Sequence, residues 1–231
     1  MKALLARIDR RTILAILVTV LVTVMYKYVW PILREQHELF AAIGDFRKLI
    51  VAALFIGPAL FIERQSLKTI GFSLGELKKT LLAAVLTSLF TLTLVFVLSV
   101  FWKIFGQIYV EGEYIYFIGN KIPYGQITFA VPFILFIPQI FSVALPEELI
   151  YRGYFQSRIG YTWGPVIGII ASSVVFSLIH IDRPLMLVHL AIQSPVLGYV
   201  CYKTKSIYPT VFAHAVGNTF SIFIIKYVAL M

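Results

Sequence analysis

LLAAVLTSLFTLTLVFVLSVFW, residues 81–102, contains no charged side chain and exceeds the roughly 20 residues that cross the hydrocarbon core of a bilayer. Lipid offers an exposed backbone no hydrogen-bond partner, so a spanning run is stable only as a helix or as a strand of a closed barrel. Its apolar residues do not alternate with polar ones as barrel strands require. Further apolar runs lie at 13–30, 49–62, 127–145, 166–181, 184–201 and 207–225. The expected fold is all-α, a polytopic transmembrane bundle of about seven helices, with six to eight as rough bounds.

Composition agrees with this. Of 231 residues, 60% are hydrophobic and 13% charged, where a soluble domain carries about 25% charged residues. No segment is rich enough in Gly, Ser or Pro to be a linker and no repeat is visible, so a single membrane-embedded domain over 1–231 is expected, with a motif-bearing catalytic core at about 127–228. The formal charge of +9 raises the question of nucleic acid. The basic residues, however, are scattered between apolar runs and form no stripe with interleaved aromatics, so no nucleic-acid partner is expected. Topology accounts for them better. With the N-terminus in the cytoplasm, the inner side holds the larger share, including Lys2, Arg7, Arg10, Arg11, Arg64, Lys68, Lys78, Lys79, Lys203 and Lys205. The chain is thus expected to be an integral protein of the cell membrane.

Residues 13–25 behind a basic leader resemble a signal peptide, but Tyr26-Lys27-Tyr28 offers no small-residue cleavage site, and a retained first helix is expected. The single cysteine, Cys201, reads as a small buried apolar residue. Hydrophilic stretches at 34–48, 63–79 and 103–121 read as surface loops or short interfacial helices.

From Val131 onward, ionisable residues enter the apolar runs. A charge at the bilayer centre costs at least about 2.5 kcal/mol, so such residues point to function. The first element is Pro146-Glu147-Glu148-Leu149-Ile150-Tyr151-Arg152. Pro146 is expected to kink a continuous helix or to begin a new one. In the second case both carboxylates occupy a first turn, where the helix dipole favours them. Glu148 and Arg152, four apart, share a face and are expected to pair. Glu147 lies about 100° around the helix, free to face something else and to act as a base. A plain cluster of surface charges at a helix end is the alternative.

The second element is Phe176-Ser177-Leu178-Ile179-His180. Histidine suits proton transfer near neutral pH, although a lone interfacial histidine has the same appearance. With a turn at 159–162, antiparallel helices bring Glu147 and His180 to similar depth, within reach of one water. The third element is His214-Ala215-Val216-Gly217-Asn218, with His214 and Asn218 on one face and small residues between them for close helix approach. Such a pair could donate to a developing oxyanion, ligate a metal, or serve as interhelical glue. Straight helices with a turn near 203–206 leave His214 and His180 mismatched in depth by about 12 Å, which tilt, a broken helix or another turn position must absorb. His189 has no partner at a telling spacing and reads as core.

Taken in order, E-E-x-x-x-R, F-x-x-x-H and H-x-x-x-N resemble the motifs of the CAAX prenyl endopeptidases and bacteriocin-processing proteins, the Abi family of glutamate-type intramembrane proteases. The resemblance runs over about 144–221 and includes the approach to the third motif through Gly198-Tyr199 and Ser206-Ile207-Tyr208-Pro209. It implies that Glu147 and His180 activate the attacking water, that His214 and Asn218 form the oxyanion site, and that Glu148, Arg152 and Phe176 support them. The implied function is an intramembrane endopeptidase acting on a membrane-associated, prenylated or leader-bearing peptide or protein in the lipid bilayer. No cofactor is expected. A divalent metal such as zinc, held by Glu147, His180 and His214, stays open, although there is no H-E-x-x-H helix. The alternative from another class is a non-enzymatic immunity or partner-binding protein on the same fold. A proton-coupled transporter is a third reading, against which stands the lack of an inverted repeat.

Overall fold

A computed structural model describes residues 9–29, 32, 47–117, 120–181 and 183–231. Lys2 and Arg7 of the basic leader, Trp30 at the end of the first apolar run, and residues 34–46 of the first hydrophilic stretch lie outside the described residues. Seven helices form among the described residues, each overlapping one expected apolar run. They are α1 (Arg10–Val29), α2 (Arg47–Glu63), α3 (Leu77–Ile104), α4 (Ala130–Trp163), α5 (Pro165–Leu178), α6 (Pro184–Thr204) and α7 (Tyr208–Leu230). Four of them, α1, α3, α4 and α7, are long and apolar enough to cross a membrane. The 14 residues of α5 rise about 21 Å, short of a hydrocarbon core of about 30 Å.

Local chemistry sets the ends of these helices. Asp9 caps α1 by accepting from the Thr12 amide and hydroxyl, both at 2.8 Å, and the amide bond holds its carboxyl below the ordinary value. Gly164, at φ 97°, turns the chain between α4 and α5, and Pro165 opens the new helix. The expected turn at 159–162 is therefore displaced, because residues 157–163 continue the helix as far as Gly164.

Of the two outcomes expected at Pro146, the continuous helix forms and no new helix begins there. Residues 130–163 run on as one helix with π-helical stretches at Ile140–Ala144 and Leu149–Gln156. The widened turns take up the backbone donor that proline lacks and the clash it would cause. Glu147 and Glu148 lie in the short α-turn between the two π stretches. The carboxylates are thus mid-helix, and no terminal dipole stabilises them.

The expected loop at 103–121 is another difference. After α3 the chain forms an antiparallel meander of β1 (Ile108–Glu111), β2 (Tyr114–Phe117) and β3 (Asn120–Pro123). Glu111 pairs with Tyr114 across a two-residue turn in which Gly112 takes φ 57°. Ile108 and Ile115 pack with Ile127 against Ile225 and Ala229 of α7. Lys103 seals this end by donating to the carbonyls of Val228 and Ala229 at 2.9 and 3.2 Å.

α7 packs along α3, and close approach is needed there: a Cβ on Gly217 would meet Thr91 Cγ2 at 2.8 Å. The main core gathers Tyr151, Tyr154, Phe155 and Phe176 between α1, α2, α4 and α5. At the opposite end from the sheet, Arg158 pairs with Glu63 at 2.6 Å, and Tyr154 donates to Glu63 at 2.9 Å. Cys201 is buried.

Candidate active site

Glu147 and Glu148 are adjacent, 5% and 0% exposed. Two buried carboxylates require positive or donating partners, since an unpaired buried charge is costly. Glu148 obtains two such groups from two directions. Arg152 Nη1 donates to its Oε1 at 2.8 Å, the expected pair one turn on. His214 Nδ1 reaches the same oxygen from α7, also at 2.8 Å. Arg152 is itself held by Ser194, which accepts from Nη2 at 2.8 Å, and its guanidinium stacks 4.3 Å from the Phe176 ring centre.

Glu147 lines the cavity, and it is not unpartnered either. The Lys48 ammonium, from the first turn of α2, donates to its Oε1. Oε2 lies 3.7 Å from His214 Nε2, too far for a direct hydrogen bond. One oxygen of Glu147 is thus engaged and the other faces a gap lined by imidazole.

His180 follows the end of α5 in a turn. Its Nδ1 lies 3.1 Å from the Phe176 carbonyl, which can only accept, so the proton sits on Nδ1 and Nε2 is left with a lone pair in the neutral ring. By the same logic Glu148 keeps a proton on His214 Nδ1. His214 Nε2 then carries a proton only in the imidazolium form. The Phe176 ring stands between the two histidines, with centroid distances of 5.4 Å to His180 and 5.9 Å to His214. Asn218, one turn beyond His214, donates through Nδ2 to Gln139 Oε1 at 3.3 Å, which orients its amide.

Glu147, His180, His214 and Asn218 all line one cavity of about 770 Å³, whose walls also include Lys48 and Gln139. The anticipated depth mismatch does not separate His214 from His180, which both flank the Phe176 ring and line the same cavity. The π stretch at Leu149–Gln156 contributes to this: it packs more residues into each turn, so the carboxylates lie nearer the Gly164 end than a regular α-helix would set them. His189, expected in the core, lines the same cavity and is half-buried. Its Nε2 contacts Gln193 Oε1 at 3.1 Å, and Gln193 donates to Thr91 at 3.0 Å.

The far end of α1 fastens the parts together. Thr23 contacts the Tyr151 hydroxyl at 3.1 Å. Tyr26 donates to the Lys48 carbonyl, and Lys27 donates to Ile179, beside His180, at 3.1 Å. These contacts, Lys48 above all, were not legible in the motifs. Lys48 only flanks an apolar run in the sequence, and its partner is 99 residues away.

The residues present do not fit a tightly held divalent metal. Among the described residues no group of three or more His, Cys, Asp or Glu side chains is arranged to hold one. An ammonium already occupies Glu147, where a cation would meet a like charge.

Residues 129–220 match the family model described as Rce1-like, type II CAAX prenyl endopeptidase. Every residue named from the three motifs falls within that segment, and the match supports the resemblance to the CAAX/Abi family. Lys48 lies outside it. No curated protein and no solved structure matches the chain.

Proposed function

We propose that this chain is an intramembrane endopeptidase that hydrolyses a peptide bond of a membrane-associated or lipidated polypeptide. The observation that carries the reading is the convergence of Glu147, His180, His214 and Asn218, from α4, the end of α5 and α7, on one cavity within a membrane bundle. The Rce1-like match supports the same reaction class. A water in the gap would donate one hydrogen bond to Glu147 Oε2 and the other to the bare Nε2 of His180. Its oxygen attacks the scissile carbonyl carbon while the proton passes to one of these bases. The resulting oxyanion takes hydrogen bonds from Asn218 Nδ2 and from His214 Nε2 in its imidazolium form. Collapse breaks the C–N bond, and the proton returns to the leaving amine. The reaction forms no acyl-enzyme and needs no cofactor. The distribution of basic residues supports a cytoplasmic N-terminus in the cell membrane.

The test is reconstitution. Purified protein in proteoliposomes is incubated with membrane extract from cells lacking the chain, and new peptide termini are identified by mass spectrometry. Termini that appear with the wild type and not with Glu147→Gln support hydrolysis. Tight retention of a membrane polypeptide with no new terminus would favour the non-enzymatic partner-binding reading.

A further inference from the structure

We propose that Lys48 is a positioning residue for the water-activating carboxylate: its ammonium pairs with one oxygen of Glu147 and directs the second carboxylate oxygen into the cavity. This role rests on the hydrolytic reading above. Two consecutive carboxylates this deeply buried need two compensating cations. Glu148 has Arg152 at 2.8 Å on its own helix. Glu147 has no cation on α4 facing it; the groups around it are Lys48 from α2, His214 from α7, His180 beyond α5 and the Glu148 carboxylate beside it. Among the described residues, Lys48 is the lysine or arginine in contact with it.

The geometry divides the two oxygens of Glu147. Lys48 takes Oε1, so the carboxylate cannot rotate freely, and Oε2 remains at the cavity side, 3.7 Å from His214 Nε2. An ammonium on a general base also withdraws charge from it, so the contact could in principle act as a resting lock. Two features favour positioning. Lys48 is held at its backbone by Tyr26, and the neighbouring Lys27 fixes Ile179 beside His180, so one stretch of α1 sets both halves of the water site relative to each other. Lys48 also lines the cavity, with its side chain 21% exposed, so a small amine can reach the place it occupies.

The experiment uses the full chain in proteoliposomes, with the membrane extract of cells lacking it as substrate and Glu147-dependent termini as the readout. Lys48→Ala is expected to lower the rate of terminus formation per folded molecule by about 10²-fold or more, and, because it leaves a buried carboxylate without its cation, to lower thermal stability as well. Added methylammonium restores the rate saturably, and acetamide of similar size does not. Lys48→Arg retains most of the activity, which keeps the test valid should the alanine variant fold poorly. Lys48→Ala at wild-type rate, faster than wild type, or rescued equally by acetamide would overturn the proposal. So would an inactive, well-folded Lys48→Arg together with an alanine variant that methylammonium does not rescue. If Glu147→Gln forms the same termini as the wild type, it is the hydrolytic reading that fails, and the two failures are distinct.

Discussion

The imidazole of His214 meets the carboxylate of Glu148 at 2.8 Å, tying the last helix of the chain to the centre of α4. The same oxygen accepts from Arg152. Glu148 therefore organises two other side chains, and Glu147, beside it, organises none of them. The two adjacent carboxylates should respond differently to substitution.

Glu148→Gln removes the charge opposite a fully buried guanidinium. Breaking one partner of a buried pair costs about 3–5 kcal/mol, and His214 keeps only a neutral amide oxygen, a weaker acceptor, to fix its tautomer. Both thermal stability in detergent and turnover should fall. A purified Glu148→Gln protein that is inactive at full stability would instead assign Glu148 to the chemistry.

His180→Ala should abolish cleavage and leave the midpoint of thermal unfolding nearly unchanged. His180 lies in a turn after α5, and its side chain bonds to the Phe176 carbonyl of the preceding helix end. A residue so placed contributes to the transition state more than to the fold. Turnover within tenfold of wild type would remove it from water activation.

Asn218→Ala should slow the chemical step by about 10²- to 10³-fold in single-turnover measurements, with little change in substrate affinity. The Gln139 contact aims the amide without consuming both of its protons. Elemental analysis of the same preparations checks the alternative. Stoichiometric metal in the wild type, lost in the variant, would replace the oxyanion role with ligation.

Arg158→Met serves as a structural contrast. Arg158 and Glu63 form a buried pair at the other end of the bundle, supported by Tyr154. Loss of one partner should cost about 3–5 kcal/mol of stability while the turnover of the protein that remains folded stays as in wild type. A selective loss of turnover without destabilisation would mean that this cluster communicates with the cavity.

Much of this arrangement is legible in the amino-acid order, and the limits have physical causes. Apolar length alone marks each of the seven helices, because lipid permits few alternatives. The i,i+4 spacing of Glu148 and Arg152 announces their pairing, and the antiparallel hairpin announces that Glu147 and His180 share a depth. The meander at 108–123 escaped because its strands are four residues each, and short amphipathic stretches carry weak periodicity. At Pro146 the sequence left a kinked continuous helix and a new helix both open, because whether a π stretch can accommodate the proline depends on tertiary packing. His189 and Lys48 escaped for a related reason. No local spacing connects either to the motifs; only the packing of α6 and α2 against the other helices brings them to the cavity.

The comparison of Glu147→Gln with wild type in reconstituted membranes is the measurement on which the hydrolytic reading depends most. Gln is nearly isosteric and can still accept from Lys48, but it cannot take a proton from water. The expected result is a folded protein that forms none of the peptide termini produced by the wild type from the same membrane extract. Formation of those termini by Glu147→Gln at a rate within tenfold of wild type would contradict it.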